Sequence, residues 1–128
     1  MSEKEIELRE MFRTSLISHK SANELGEYIE YTEEELDTKV NEMIDFEKNN
    51  IVRWVELRES RNRRLLNCDW TQISDAPITE ELKSEWAIYR QALRDLPSNT
   101  EFPAYVEYPR FPGEVRPEDE DFIVGDEA

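Results

Sequence analysis

Apolar positions recur at three- and four-residue steps along most of the first hundred residues, and the steps break in the places where capping residues stand. Leu8, Met11, Phe12 and Leu16 lie on one helical face, and "SEKE" puts Ser2 at an N-cap with Glu5 three residues on. A helix over about 3–19 is predicted. "SANE" repeats the cap spacing at Ser21 and Glu24, but Gly26 weakens a long helix there. "YTEEEL" is the clearest start: Thr32 caps, Glu35 returns the bond, and Tyr31 is placed to staple onto Leu36. From there Leu36, Val40, Ile44, Ile51, Val55 and Leu66 are expected to share a stripe. Asn49 and Asn50 are the candidate break between two helical pieces. A sustained coiled coil is disfavoured, because the heptad from Leu36 puts Glu47 and Asn50 on the seam.

The stretch "NCDWTQISDAPIT" then interrupts the helical period. Asn67 suits a helix end, Asp69 a turn, and Asp75-Ala76-Pro77 a second turn. Thr79 caps the next helix, where Leu82, Trp86, Tyr89, Leu93 and Leu96 make an amphipathic stripe that Pro97 is expected to stop. Trp70 and Trp86 are read as core anchors, with Trp70 plugging the gap between the two helices. After Pro97, "PSNTEFPAYVEYPRFPGEVRP" has five prolines in 21 residues, which forbids a regular helix. Its aromatic residues either wrap back over the helices or form an extended ligand for a groove elsewhere. The expectation adopted is the first. The fold class is mainly α: a helical N-terminal arm, a helix–loop–helix core and an extended proline-rich C-terminal tail.

Charge divides the 128-residue chain into three parts. The net charge is −15. Residues 1–50 hold 14 acidic and 6 basic side chains, residues 51–100 eight of each, and residues 101–128 nine and two. The expected divisions are therefore an acidic helical region at 1–50, a packed module at 51–112, and an acidic, flexible tail at 113–128. Such a balance repels phosphate backbones and argues against nucleic-acid partners. It suits a solvated surface, or a face for a basic partner. In "RWVELRESRNRR" five arginines alternate with two glutamates, as on a solvated helix face laced with ion pairs. These arginines are also candidates to meet a carboxylate-rich partner or the chain's own acidic ends. Phe122-Ile123-Val124, flanked by carboxylates, resembles a short docking segment.

Candidate chemistry is sparse. Cys68 and His19 are the only residues of their types, so neither a disulfide nor a zinc site is expected. His19 has no nucleophile near it in sequence and is read as an ordinary histidine. No glycine-rich phosphate loop occurs, and no cofactor is expected. No stretch approaches the ~20 apolar residues of a membrane span, and "MSEKEIELRE" lacks a signal-peptide core. A cytosolic, non-enzymatic binding protein is expected.

Three segments together carry a resemblance: "RNRRLLNCDWTQISDAPIT", "WAIYRQALRDLP" and "FPAYVEYPRFP". Their combination resembles the tail assembly chaperone module of tailed bacteriophages, also found at the ends of tail-fibre and fibre-assembly proteins. It covers about residues 53–112. Cys68 stands where a small hydroxyl residue is usual, Ser74 where proline is common, and Tyr108 where tryptophan often precedes the proline. The resemblance implies a phage tail or tail-fibre assembly factor that binds another tail or tail-fibre protein in the host cytoplasm during infection. It does not separate that role from a permanent structural component of the virion tail, such as an adaptor or baseplate-associated protein. Self-association stays open. The residues expected to define the module or meet the partner are Arg61, Arg64, Trp70, Trp86, Tyr89, Arg90, Leu93, Arg94 and Leu96.

Overall fold

A computed structural model of the protein describes residues 1–18, 21–22 and 24–119. His19 and the acidic end with Phe122-Ile123-Val124 lie outside the described residues. The described chain is mainly helical. Four α-helices occur in order: α1 Glu3–Ser18, α2 Glu33–Lys48, α3 Ile51–Asn67 and α4 Glu80–Asn99. Short 3-10 turns stand at Asp69–Gln72 and Pro103–Tyr105.

The chain divides into two compact units. The first comprises Met1–Ile51 with Phe102–Ala104, and the second Val52–Glu101 with the described residues from Tyr105 on. In the first unit, the Ser2 hydroxyl accepts from the Glu5 N–H at the start of α1, as the cap spacing predicts. At α2 the reciprocal capping box forms between Thr32 and Glu35, with three glutamates against the positive end of the helix dipole. The two helices run antiparallel, since Arg13 pairs with Glu33 and Asp37, and Glu5 with Lys48. Leu8, Phe12, Leu36, Val40 and Ile44 are buried. Glu5 is buried as well, its charge met by Arg9 and Lys48. Phe102 is buried, and the Lys48 ammonium lies 5.8 Å from the centre of its ring.

Between α1 and α2 the cap pattern at Ser21 does not start a helix. Ser21–Ala22 forms a two-residue strand, β1, antiparallel to β2 at Tyr28–Ile29. Gly26, at φ +79°, makes the reversal that a side chain would oppose.

The helical stripe expected from Leu36 to Leu66 stops at Ile44. α2 ends at Lys48, Asn49 caps it through an N–H to the Asp45 carbonyl, and α3 begins at Ile51. That interruption resets the helical phase. Ile51, Val55 and Leu66 are exposed, and Leu57 is the fully buried residue of α3.

Pro97 does not stop α4, which runs to Asn99 with the proline inside it. Its φ suits a helix, and its missing N–H removes a single bond near the end. The carbonyls there find other donors: Thr100 N–H bonds Pro97 O at 3.4 Å and Thr100 Oγ1 bonds Leu96 O at 2.7 Å.

Candidate partner-binding surface

α3 and α4 need an end and a beginning that leave no orphan backbone groups. The start of α4 is closed by Thr79, whose hydroxyl accepts from the Leu82 N–H. The end of α3 is closed from across the loop. Arg90 donates to Leu65 O at 2.9 Å and to Cys68 Sγ at 3.2 Å, and pairs with Asp69 at 2.8 Å. Burial opposes the guanidinium charge, but the hydrogen bonds that Arg90 donates to Cys68 and Asp69, with the charge of the Asp69 carboxylate, outweigh it and raise the Arg90 pKa. A cationic donor at a helix C-terminus also complements the dipole.

The loop is tied down further along. Thr71 is fully buried, and its hydroxyl donates to Cys68 O at 2.6 Å. Gln72 reaches both Thr71 Oγ1 at 3.1 Å and Lys83 O at 3.2 Å, and Lys83 donates to Ile73 O at 3.0 Å. Beneath it Cys68, Tyr89 and Leu93 form a buried cluster, with Leu65 and Trp86 packed against it.

This arrangement corrects one expectation. Trp70 does not plug the gap between the helices: it is 47% exposed. Thr71 takes the interior position because successive side chains of a 3-10 turn stand about 120° apart, and a satisfied hydroxyl fits the small space beside Cys68. Trp86 does pack against the core. Its ring stands edge-on to Tyr89 and lies parallel to Phe111, with ring centres 5.7 and 6.0 Å apart.

The remaining candidate residues divide by exposure. Tyr89, Leu93 and Leu96 are buried and fill the interior. Arg64 lies over the Tyr108 ring at 4.0 Å. Arg61 bonds Asn62 at 2.8 Å and reaches Arg94 O at 3.4 Å, and Arg94 is exposed. The helix-capping role of Arg90 and the interior place of Thr71 carry no periodic signal, since both depend on the turn's shape. Outward, Leu66, Trp70 and Ile73 stand exposed along the connection, and Ile88 on α4.

The segment after α4 closes on itself through ions and one turn. Gly113 at φ +84° follows Pro112, and Glu114 N–H bonds Phe111 O at 3.0 Å, the arrangement of a type II turn. Arg116 pairs with Glu114 and bonds Tyr108 O and Pro109 O, while Arg110 pairs with Glu118 and Asp119. The hydrogen bond from Arg116 lowers the Glu114 pKa, and that from Arg110 lowers the Asp119 pKa.

Among the described residues, no group of three or more His, Cys, Asp or Glu is placed to hold a metal ion. No helix among the described residues is long and apolar enough to cross a membrane.

Residues 54–113 match the family model of the phage tail assembly chaperone protein. That segment, just under half of the chain, is what resembles the family, and it holds most of the α3–loop–α4 arrangement and the proline-rich segment up to Gly113. No curated protein and no solved structure matches the chain.

Proposed function

We propose that the protein is a non-enzymatic assembly factor of a phage tail or tail fibre, and that it binds another tail protein in the host cytoplasm during infection. The observation that carries this reading is the match of residues 54–113 to the tail assembly chaperone family. The contact surface is the connection between α3 and α4, where Leu66, Trp70 and Ile73 are exposed on a loop whose polar groups are bonded internally. A rigid, amphipathic aromatic residue costs little entropy to order in a complex, which suits Trp70 to anchor an apolar segment of the partner. Arg94 and the exposed arginines of α3 supply the polar rim. In this reading Tyr89, Leu93, Leu96, Trp86 and Arg90 hold the platform, residues 1–50 are an acidic helical arm, and the proline-rich segment is a strap that leads into an acidic tail.

The test is a phage in which the coding sequence is interrupted, with the intact protein supplied from a plasmid as control. Electron microscopy of lysates is expected to show heads lacking complete tails or fibres, restored by the plasmid. Normal particles without the plasmid would overturn the reading.

A further inference from the structure

Outside the family module, the first unit has a shallow groove of about 350 Å³ lined by Phe12, Met43 and Phe46, with Glu42 and Glu47 on its rim. Phe12 comes from α1 and is buried, whereas Phe46 is 65% exposed on α2. The four α2 residues fall at spacings of one, three and one, so they face the groove together. Nothing in the interior explains an exposed phenylalanine here, because Ile44 and Val40 already fill the α1–α2 seam.

We propose that this groove docks a basic amphipathic segment of a partner protein, with an aromatic or long aliphatic side chain seated between Phe12 and Phe46 and flanking Lys or Arg side chains on Glu42 and Glu47. Charge decides the occupant. Glu42 has only Lys39 beside it, at 3.8 Å, and Glu47 has no ion pair among the described residues. Residues 1–50 hold 14 acidic side chains against 6 basic ones, so an incoming cation is attracted from a distance. The same field rejects the chain's own apolar triplet, Phe122-Ile123-Val124, since carboxylates flank it on both sides. It also opposes a second copy of this acidic unit, where the rim glutamates would meet like charge. The inference stands on the first unit alone and does not depend on what residues 54–113 bind.

The experiment uses the full chain and a fluorescent amphipathic helical peptide of lysine and leucine with one central phenylalanine, read by anisotropy. Phe46→Ser changes a largely exposed side chain and is expected to weaken binding at least about tenfold, the scale for losing an apolar anchor. Glu42→Gln with Glu47→Gln is expected to weaken it several-fold and to flatten its salt dependence. A lysine–serine peptide of equal charge and a glutamate–leucine peptide of equal apolarity are both expected to bind at least about tenfold more weakly. Circular dichroism of each variant confirms that α1 and α2 persist. Equal affinity of wild type and Phe46→Ser would overturn the proposal by reducing the attraction to diffuse charge. A concentration-dependent dimer in sedimentation that Phe46→Ser abolishes would overturn it in favour of a second copy.

Discussion

In the first unit two antiparallel helices meet along Leu8, Phe12, Leu36, Val40 and Ile44, and the start of α1 and both ends of α2 are closed by residues next to them in sequence. In the second, the interior is small and aromatic, and the end of α3 is closed by Arg90 from 22–25 residues away. Local closure leaves a helix pair whose pieces each satisfy themselves. Distant closure makes the loop, both helices and the core depend on one another. The comparison explains how a loop bearing an exposed tryptophan is held in one shape: its polar groups are used inward, which leaves Trp70 free to face outward.

The largest expected effect lies in that shared interior. Leu93 is fully buried, and Leu93→Ala should cost about 2–5 kcal/mol in urea denaturation. Its amide-exchange signature should spread through α3, the loop and α4. Protection lost only in α4 would contradict the shared dependence.

Next comes Arg90. Arg90→Ala leaves Leu65 O and Asp69 without their half-buried donor, and should cost about 1–3 kcal/mol. Arg90→Lys is expected to recover only part of this, because an ammonium cannot reach carbonyl, sulfur and carboxylate in the fixed fork of a guanidinium. Full recovery by lysine would show that charge alone is needed. In the first unit, where closure is local, Thr32→Ala should cost about 1 kcal/mol and loosen only the first turn of α2.

Trp70→Ala sharpens the comparison from the other side. Its stability effect should fall within about 1 kcal/mol, against about 3–5 kcal/mol for alanine at a buried tryptophan, and Trp86→Ala should come closer to the larger value. Tryptophan emission should lose a solvent-exposed component with Trp70 and a shielded one with Trp86. A large destabilisation from Trp70→Ala would contradict an outward role.

The smallest effect is pH-dependent. Glu114 and Asp119 have folded pKa values below their ordinary ones, so their pairing with Arg116 and Arg110 contributes above the ordinary carboxylate pKa near about 4. It is lost as pH falls through the depressed folded values. Protection factors around Tyr108–Arg116, taken relative to the intrinsic exchange rate at each pH, should therefore fall in acid before those of α4, and the difference should vanish in Arg110→Gln with Arg116→Gln.

The helices were legible in the chain because their signals are local. Ser2, Thr32 and Thr79 each accept the N–H that their spacing to the next turn requires. The break at Asn49 and Asn50 was legible too, but not its consequence: a short interruption rotates the next helix, and Ile51, Val55 and Leu66 turn outward. The places of Trp70 and Thr71 were not legible, since neighbours in a 3-10 turn point apart and hydrophobicity alone cannot say which is inside. Nor was the course of α4 past Pro97, where Thr100 closes the helix end through its N–H to Pro97 O and its hydroxyl to Leu96 O. The family match spans Trp70, Thr71 and Pro97, and "DWTQ" and "WAIYRQALRDLP" bring together side chains, such as Asp69 and Arg90, that meet only after folding.

The most direct test of the central claim is quantitative mass spectrometry of purified mature particles and of infected cells from the phage that encodes this chain. An assembly factor is expected to be abundant in the cells and absent from the particles. A fixed number of copies in every tail would contradict that, and would make the protein a permanent part of the virion.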